Sequence, residues 1–153
     1  MEQRLKAVFL YKFADYVEWP ERVFPRADTP VTIAVIGDEP LVAELTEVIK
    51  DRTLRGRSFE VRRLSDDSSV DGIHVLFVAR AHDAALRRAA VASAPILVVT
   101  DSEGALNSGS TINFMVVDER VRFEVSVEDA ERRGLKLSSR LLSVAQNVRT
   151  GKP

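Results

Sequence analysis

Four short runs of strand-forming residues recur along this chain, and two of the three intervals between them carry helical spacing. The runs are Val31 to Ile36, Ser58 to Leu64, Ile73 to Ala79 and Ile96 to Thr100. Between the first and second, Pro40 opens a helix that reaches about Lys50, with Leu41, Leu45, Val48 and Ile49 on its packing side. Proline suits a first helical turn, because its missing N–H would be unpaired there anyway. Arg55-Gly56-Arg57 is the turn into the second run, where Phe59 and Val61 face one way and Glu60 and Arg62 the other. Between the third and fourth runs, His82-Asp83 opens a helix to about Ser93, packing through Leu86, Ala89, Ala90 and Val91. Strands linked through helices by short connections form parallel pairs and place helices on both faces of the sheet. The first and third runs are apolar almost throughout, as strands covered on both faces are.

Gly109 to Ser126 breaks this rhythm. Ile112, Phe114 and Val116 point one way and Asn113, Met115 and Val117 the other. Val121, Phe123 and Val125 then share one face, opposite Arg122, Glu124 and Ser126. Asp118-Glu119-Arg120 joins the two runs as an antiparallel hairpin without the Asn-Gly or Asp-Gly signal of the tightest turns. The first run belongs inside the sheet, and the second, apolar on one face only, belongs at an edge or over solvent.

The flanks read as helical. Arg4 to Val17 places Leu5, Val8, Phe9, Phe13, Tyr16 and Val17 on one side, with Lys6, Lys12 and Asp15 elsewhere, and Trp19-Pro20 ends it. After the hairpin, Ser126-Val-Glu-Asp129 has the form of a capping box, and Gly134 stops a short helix. A last helix is expected from about Ser138 to Val148, with Leu141, Leu142, Ala145 and Val148 inward, before a frayed end from Thr150 to Pro153. The expected fold is α/β, a mostly parallel sheet with helices on both faces, ending in an antiparallel hairpin and C-terminal helices. One domain is expected to span residues 1–153.

Composition narrows the function. With 22 basic and 23 acidic residues the net charge is −1, which leaves no electrostatic footprint for nucleic acid. The absence of cysteine removes disulfides, thiolate metal sites and a cysteine nucleophile. No apolar run approaches the length of a membrane span, and Met1-Glu2-Gln3-Arg4 leads into an amphipathic helix rather than a signal peptide. The two histidines, His74 and His82, stand at no recognised metal spacing, and no G-x-S-x-G word is present. His74, inside an apolar strand, reads as a satisfied structural histidine. His82 reads as a surface residue at a helix start. Gly37 stands where phosphate loops stand, but without further glycines and followed by Asp38-Glu39 it reads as a tight turn. No catalytic set, metal site or cofactor is expected.

Two surfaces are candidates for binding. Ligands of open α/β sheets sit beyond the carboxyl ends of the strands, here Asp38, Arg80, Asp101 and Ser102. An arginine with two aspartates suits a small zwitterion or polar molecule, and solvated loop residues are the plain alternative. Tyr11, Tyr16 and Trp19, together with Arg120 and Arg122 of the hairpin, are candidates for a partner or dimer interface, with core packing and edge protection as the alternatives.

Two stretches carry a resemblance. The first is Lys6-Ala-Val-Phe-Leu-Tyr-Lys-Phe-Ala14, continuing through Tyr16-Val-Glu-Trp-Pro20. The second is Gly109 to Glu124, with Ile112-Asn-Phe114 and Arg120-Val-Arg-Phe-Glu124, followed by Gly134-Leu-Lys-Leu-Ser-Ser139 and Leu141-Leu142. In order and spacing they resemble the YfiR-like family of bacterial envelope proteins, over about residues 6 to 148. The resemblance implies a non-enzymatic periplasmic regulator. It would repress an inner-membrane diguanylate cyclase by binding the cyclase's periplasmic sensor region, and so lower cyclic-di-GMP and biofilm formation. It further implies a homodimer, an outer-membrane lipoprotein that sequesters the regulator, and export behind a signal peptide already removed from this sequence. Some members carry cysteine pairs; this chain has none, so redox control of that kind cannot operate here.

Overall fold

The computed structural model describes residues 2–92 and 94–150, apart from the side chains of residues 90–92. The chain runs as α1 (Glu2–Asp15), β1 (Val17–Glu18), a 3₁₀ turn at Glu21–Val23, β2 (Val31–Ile36), α2 (Glu39–Val48), β3 (Thr53–Leu54), β4 (Arg57–Leu64), β5 (Val75–Val78), α3 (Asp83–Ala92) and β6 (Leu97–Thr100). After a second 3₁₀ turn at Ala105–Ser108 come β7 (Ile112–Val117), β8 (Arg120–Ser126), α4 (Val127–Arg132), β9 (Lys136–Leu137), α5 (Ser139–Val144) and β10 (Asn147–Arg149).

Eight strands form one sheet in the order β10-β8-β7-β6-β5-β2-β4-β3. From β4 through β7 the pairing is parallel, as the helical crossovers require. All six residues of β2 are buried, which places this β-branched run at the centre. Its residues divide between two cores by strand alternation. Ile33 and Val35 pack with Leu10, Phe13, Leu41 and Leu45 of α1 and α2, and Ala34 and Ile36 pack with Ala85, Leu86 and Ala89 of α3. The mostly parallel sheet with helices on both faces is therefore as expected. Ala90 and Val91 also belong to the expected packing side of α3, but their side chains lie outside the described residues.

The departures have local causes. The first helix ends at Asp15, and Val17-Glu18 turns away to pair antiparallel with β9. The buried face of α1 is Lys6, Ala7, Leu10, Phe13 and Ala14, while Leu5 is 42% exposed. Small alanines on that stripe bring the helix close to the sheet, and Lys6 is carried inward with them.

In the hairpin, Val117 pairs with Arg120, so the turn is Asp118-Glu119 alone. Both residues have positive φ, 50° and 65°, the I′ geometry whose twist matches the strands even without glycine. Only Ile112 and Asn113 of β7 pair with β6, so the outer half of β7 runs past its neighbour and Val116 is 60% exposed. The strand β8 is not an edge. The final helix stops at Val144, Ala145 takes extended backbone, and β10 pairs parallel with β8 through Val148 opposite Val125. The expected helix to Val148 is thus replaced by a strand that covers the β8 edge. Of the frayed end, only Thr150 lies within the described residues; residues 151–153 fall outside them.

Candidate functional site

In a sheet of this kind the natural crevice lies where successive connections leave in opposite directions, here between β2 and β5. This chain fills it. Gly37 follows β2 at φ +85°, and a Cβ there would collide with the His82 imidazole. His82 is held over the turn by a 2.6 Å contact from Nδ1 to Asp66 Oδ1. Asp38 is turned away as the N-cap of α2, where Oδ1 accepts the Leu41 N–H at 3.0 Å and Oδ2 accepts from Gln3 Nε2 at 2.5 Å. Gly37→Ala is expected to cost about 1–3 kcal/mol, because it combines a left-handed backbone with displacement of the imidazole. Urea unfolding measures this, and an unchanged midpoint would reject the close packing.

The open space lies one strand further along. At the carboxyl ends of β5, β6 and β7 there is a cavity of about 580 Å³. It brings together Arg80, Asp101 and Ser102 of the expected residues, but not Asp38. Glu2 and Lys6 reach it from α1, Asn113 to Val116 from β7, Glu124 from β8 and Arg149 from β10.

Several of its polar side chains are paired with one another, Lys6 with Asp101 and Glu2, and Asn113 with Glu124. The Thr100 hydroxyl and the Ser102 N–H both donate to Asn113 Oδ1, at 2.7 and 3.1 Å. The Asn113 amide nitrogen donates to Glu124 Oε2 at 3.0 Å. Lys6, only 3% exposed, donates from Nζ to Asp101 Oδ2 at 3.0 Å and lies 2.7 Å from Glu2 Oε2. The other Asp101 oxygen accepts the Arg80 backbone N–H at 3.0 Å. A buried ammonium is tolerable only with such partners. The Lys6 hydrogen bond holds the Glu2 carboxyl below its ordinary pKa. These contacts tie the first turns of α1 to the loop after β6.

Neither histidine lines the cavity, and its side chains form no nucleophile–base–orienter relay. Among the described residues no cluster of three His, Cys, Asp or Glu side chains has the arrangement of a metal site. The sequence reading missed Lys6, Asn113, Glu124 and Arg149 as members of this site. For Lys6 a signal existed, since it stands three and seven residues before Phe9 and Phe13 and so shares their helical stripe. Arg149 follows a stretch whose spacing predicts a helix to about Val148, so nothing in the sequence places it here.

The interface candidates separate in space. Tyr11 packs on Phe59 of β4 with ring centroids 5.4 Å apart, and the Arg52 guanidinium lies 4.9 Å from its ring. Trp19 donates from Nε1 to the His74 carbonyl at 3.1 Å, and Tyr16 is half-buried against the main core. Arg120 is exposed beside the hairpin turn, and Arg122 is half-buried opposite Met115. Since β4 and β8 lie toward opposite margins of the sheet, these residues make two surfaces rather than one.

The chain matches the family model described as YfiR/HmsC-like over residues 3–146, nearly its whole length. It belongs to the YfiR/HmsC-like family. No curated protein matches it. The YfiR/HmsC-like span runs from α1 to just past α5 and holds every cavity residue except Glu2 and Arg149. Among the described residues no helix is long and apolar enough to cross a membrane.

Proposed function

We propose that this YfiR/HmsC-like protein is a non-enzymatic periplasmic regulator. It binds the periplasmic sensor region of an inner-membrane diguanylate cyclase and holds the enzyme inactive, which lowers cyclic-di-GMP and biofilm formation. The observation that carries this reading is the family match over residues 3–146. Docking is assigned to the Tyr11, Tyr16 and Trp19 surface or to the Arg120 and Arg122 hairpin. A homodimer and a sequestering outer-membrane lipoprotein complete the proposal.

The test is the cellular level of cyclic-di-GMP with and without the gene. Deletion is expected to raise it, and the exported protein, but not a version retained in the cytoplasm, to restore it. A level that stays flat under several envelope stresses would remove the cyclase from the reading.

One observation favours a second role. The cavity of about 580 Å³ falls within the usual size of small-molecule sites, about 300–1,000 Å³, and sits at the strand ends. A small polar or zwitterionic ligand against Arg80, Asp101 and Ser102 would make the protein a sensor module. The two roles become one mechanism if the ligand shifts the population of a docking-competent state.

A further inference from the structure

At the opposite end of the sheet, the stretch from Trp19 to Pro30 crosses the amino ends of β2 and β5. The backbone hydrogen bonds formed within it, Val23 N–H to Pro20 O, Phe24 N–H to Glu21 O and Thr29 N–H to Arg26 O, only close local turns. Side chains hold it to the sheet. His74 is 2% exposed, and its Nδ1 accepts the Thr32 N–H at 3.0 Å. Its Nε2 lies 2.9 Å from the Val23 carbonyl oxygen, which can only accept. The imidazole is therefore neutral, with its proton on Nε2. Phe24 stacks on it at 4.4 Å and 7°. Arg57 covers Phe24 at 4.2 Å and donates to the carbonyls of Arg26, Ala27 and Thr29.

A second proton on this ring has to go to Nδ1, where it would face the Thr32 N–H, donor against donor. The surrounding charges give it no shelter. Arg57 and Arg62 of β4 repel it. Glu60 of the same strand is taken up by the Thr32 hydroxyl and by Arg62. Glu18 of β1 and Glu21 and Arg22 of the crossing stretch are all exposed, and neither glutamate forms an ion pair with the ring among the described residues. Burial first, then the two arginines, hold the His74 pKa below its ordinary 6.5, against the pull of the Val23 carbonyl.

We propose that His74 is an acid-released clasp: a proton at Nδ1 breaks the Thr32 bond that seats the ring against β2, the charged ring swings out still holding the Val23 carbonyl, and the stretch from Trp19 to Thr29 leaves the sheet with it while the sheet itself stays folded. This does not depend on the regulator reading, although opening would reshape the Trp19 surface assigned there to docking. The sign follows from linkage. Because the closed form holds the pKa down, its advantage is complete above about 6.5 and is lost as pH falls through the lower value of the folded protein.

Trp19 is the only tryptophan, so its fluorescence reports the clasp. On acidification from neutral pH, its emission is expected to move to the red and its quenching by acrylamide to rise about twofold or more, as for a locally opened segment, with the far-UV circular dichroism unchanged. His74→Gln keeps an acceptor for Thr32 and a donor for Val23 without titrating, and should abolish the acid response. His82→Gln should retain it. The same transition in His74→Gln, or Trp19 emission that changes only when the circular dichroism collapses, would overturn the proposal. Should His74→Gln fail to fold, the proton resonances of the His74 ring in the unmodified protein decide. A shared midpoint with the Trp19 signal supports the clasp, and separate midpoints reject it.

Discussion

Asp129→Ala is expected to lower the free energy of unfolding by about 3–5 kcal/mol, the cost of leaving a buried charge without its partner. The Arg133 side chain is 0% exposed, and its Nε donates to Asp129 Oδ2 at 2.8 Å. Its remaining bonds tie α4 to three other places: Nη1 donates to the carbonyls of Ala89 and Ala94 around the end of α3, and Nη2 donates to that of Gly109 before β7. Asp129 also accepts from the Thr111 hydroxyl at 2.6 Å, next to the start of β7. Burial pulls the Arg133 pKa down while the Asp129 carboxylate opposes it. Taking away the carboxylate therefore strands a guanidinium and a hydroxyl together. Urea unfolding checks the size of the loss, and a change below about 1 kcal/mol would mean that the pair is worth no more than a surface ion pair. Replacing both members with apolar residues of matching volume should recover most of the loss, since a buried pair can often be exchanged for good packing.

Phe13→Ala is expected to cost a similar amount, about 3–5 kcal/mol, for a different reason. Phe13 is 1% exposed and sits at the centre of an aromatic cluster. Its ring lies 4.9 Å edge-on from Phe123, 5.8 Å from Phe114 and 5.9 Å from Phe9. These contacts dock α1 on the hairpin, so truncation leaves a void between two elements that meet only in the folded chain. For a protein of this size the expected fall in Tm is roughly 6–20 °C. Phe9→Ala, at a half-buried position of the same cluster, should cost less. If the two losses were equal, the cluster would not be centred on Phe13.

The same cluster exposes where sequence reasoning was reliable and where it stopped. Phe114 and Phe123 were each legible on the apolar face of its own strand, because strand alternation is set by the backbone and needs no neighbour, but only the two-residue turn places them opposite one another. Phe13 was legible as a packing residue. The exact stripe on α1 was not, since alanines at positions 7 and 14 carry little hydrophobic signal yet decide how closely the helix sits. Ser126 was legible as a cap, and its hydroxyl accepts the Asp129 N–H at 3.1 Å. The Asp129 carboxylate, however, leaves the capping role for Arg133, a choice made by burial rather than by local spacing.

Elements whose stability is local or periodic were thus determined by the sequence alone: the parallel strands, the helices between them, the hairpin, the turn at Gly37, and His74 as a satisfied histidine. Tertiary structure alone decided the last strand and the cavity. Asn147 to Arg149 has no strong strand signal and becomes β10 because β8 presents unpaired backbone beside it. The cavity joins α1, β5, β6, β7, β8 and β10, residues from Glu2 to Arg149. Asp38 left the site because capping α2 satisfies it locally, whereas Lys6 joined because, once buried, its charge required Asp101 and Glu2. Local patterns carry no information on such pairings, which arise only when distant segments are desolvated together.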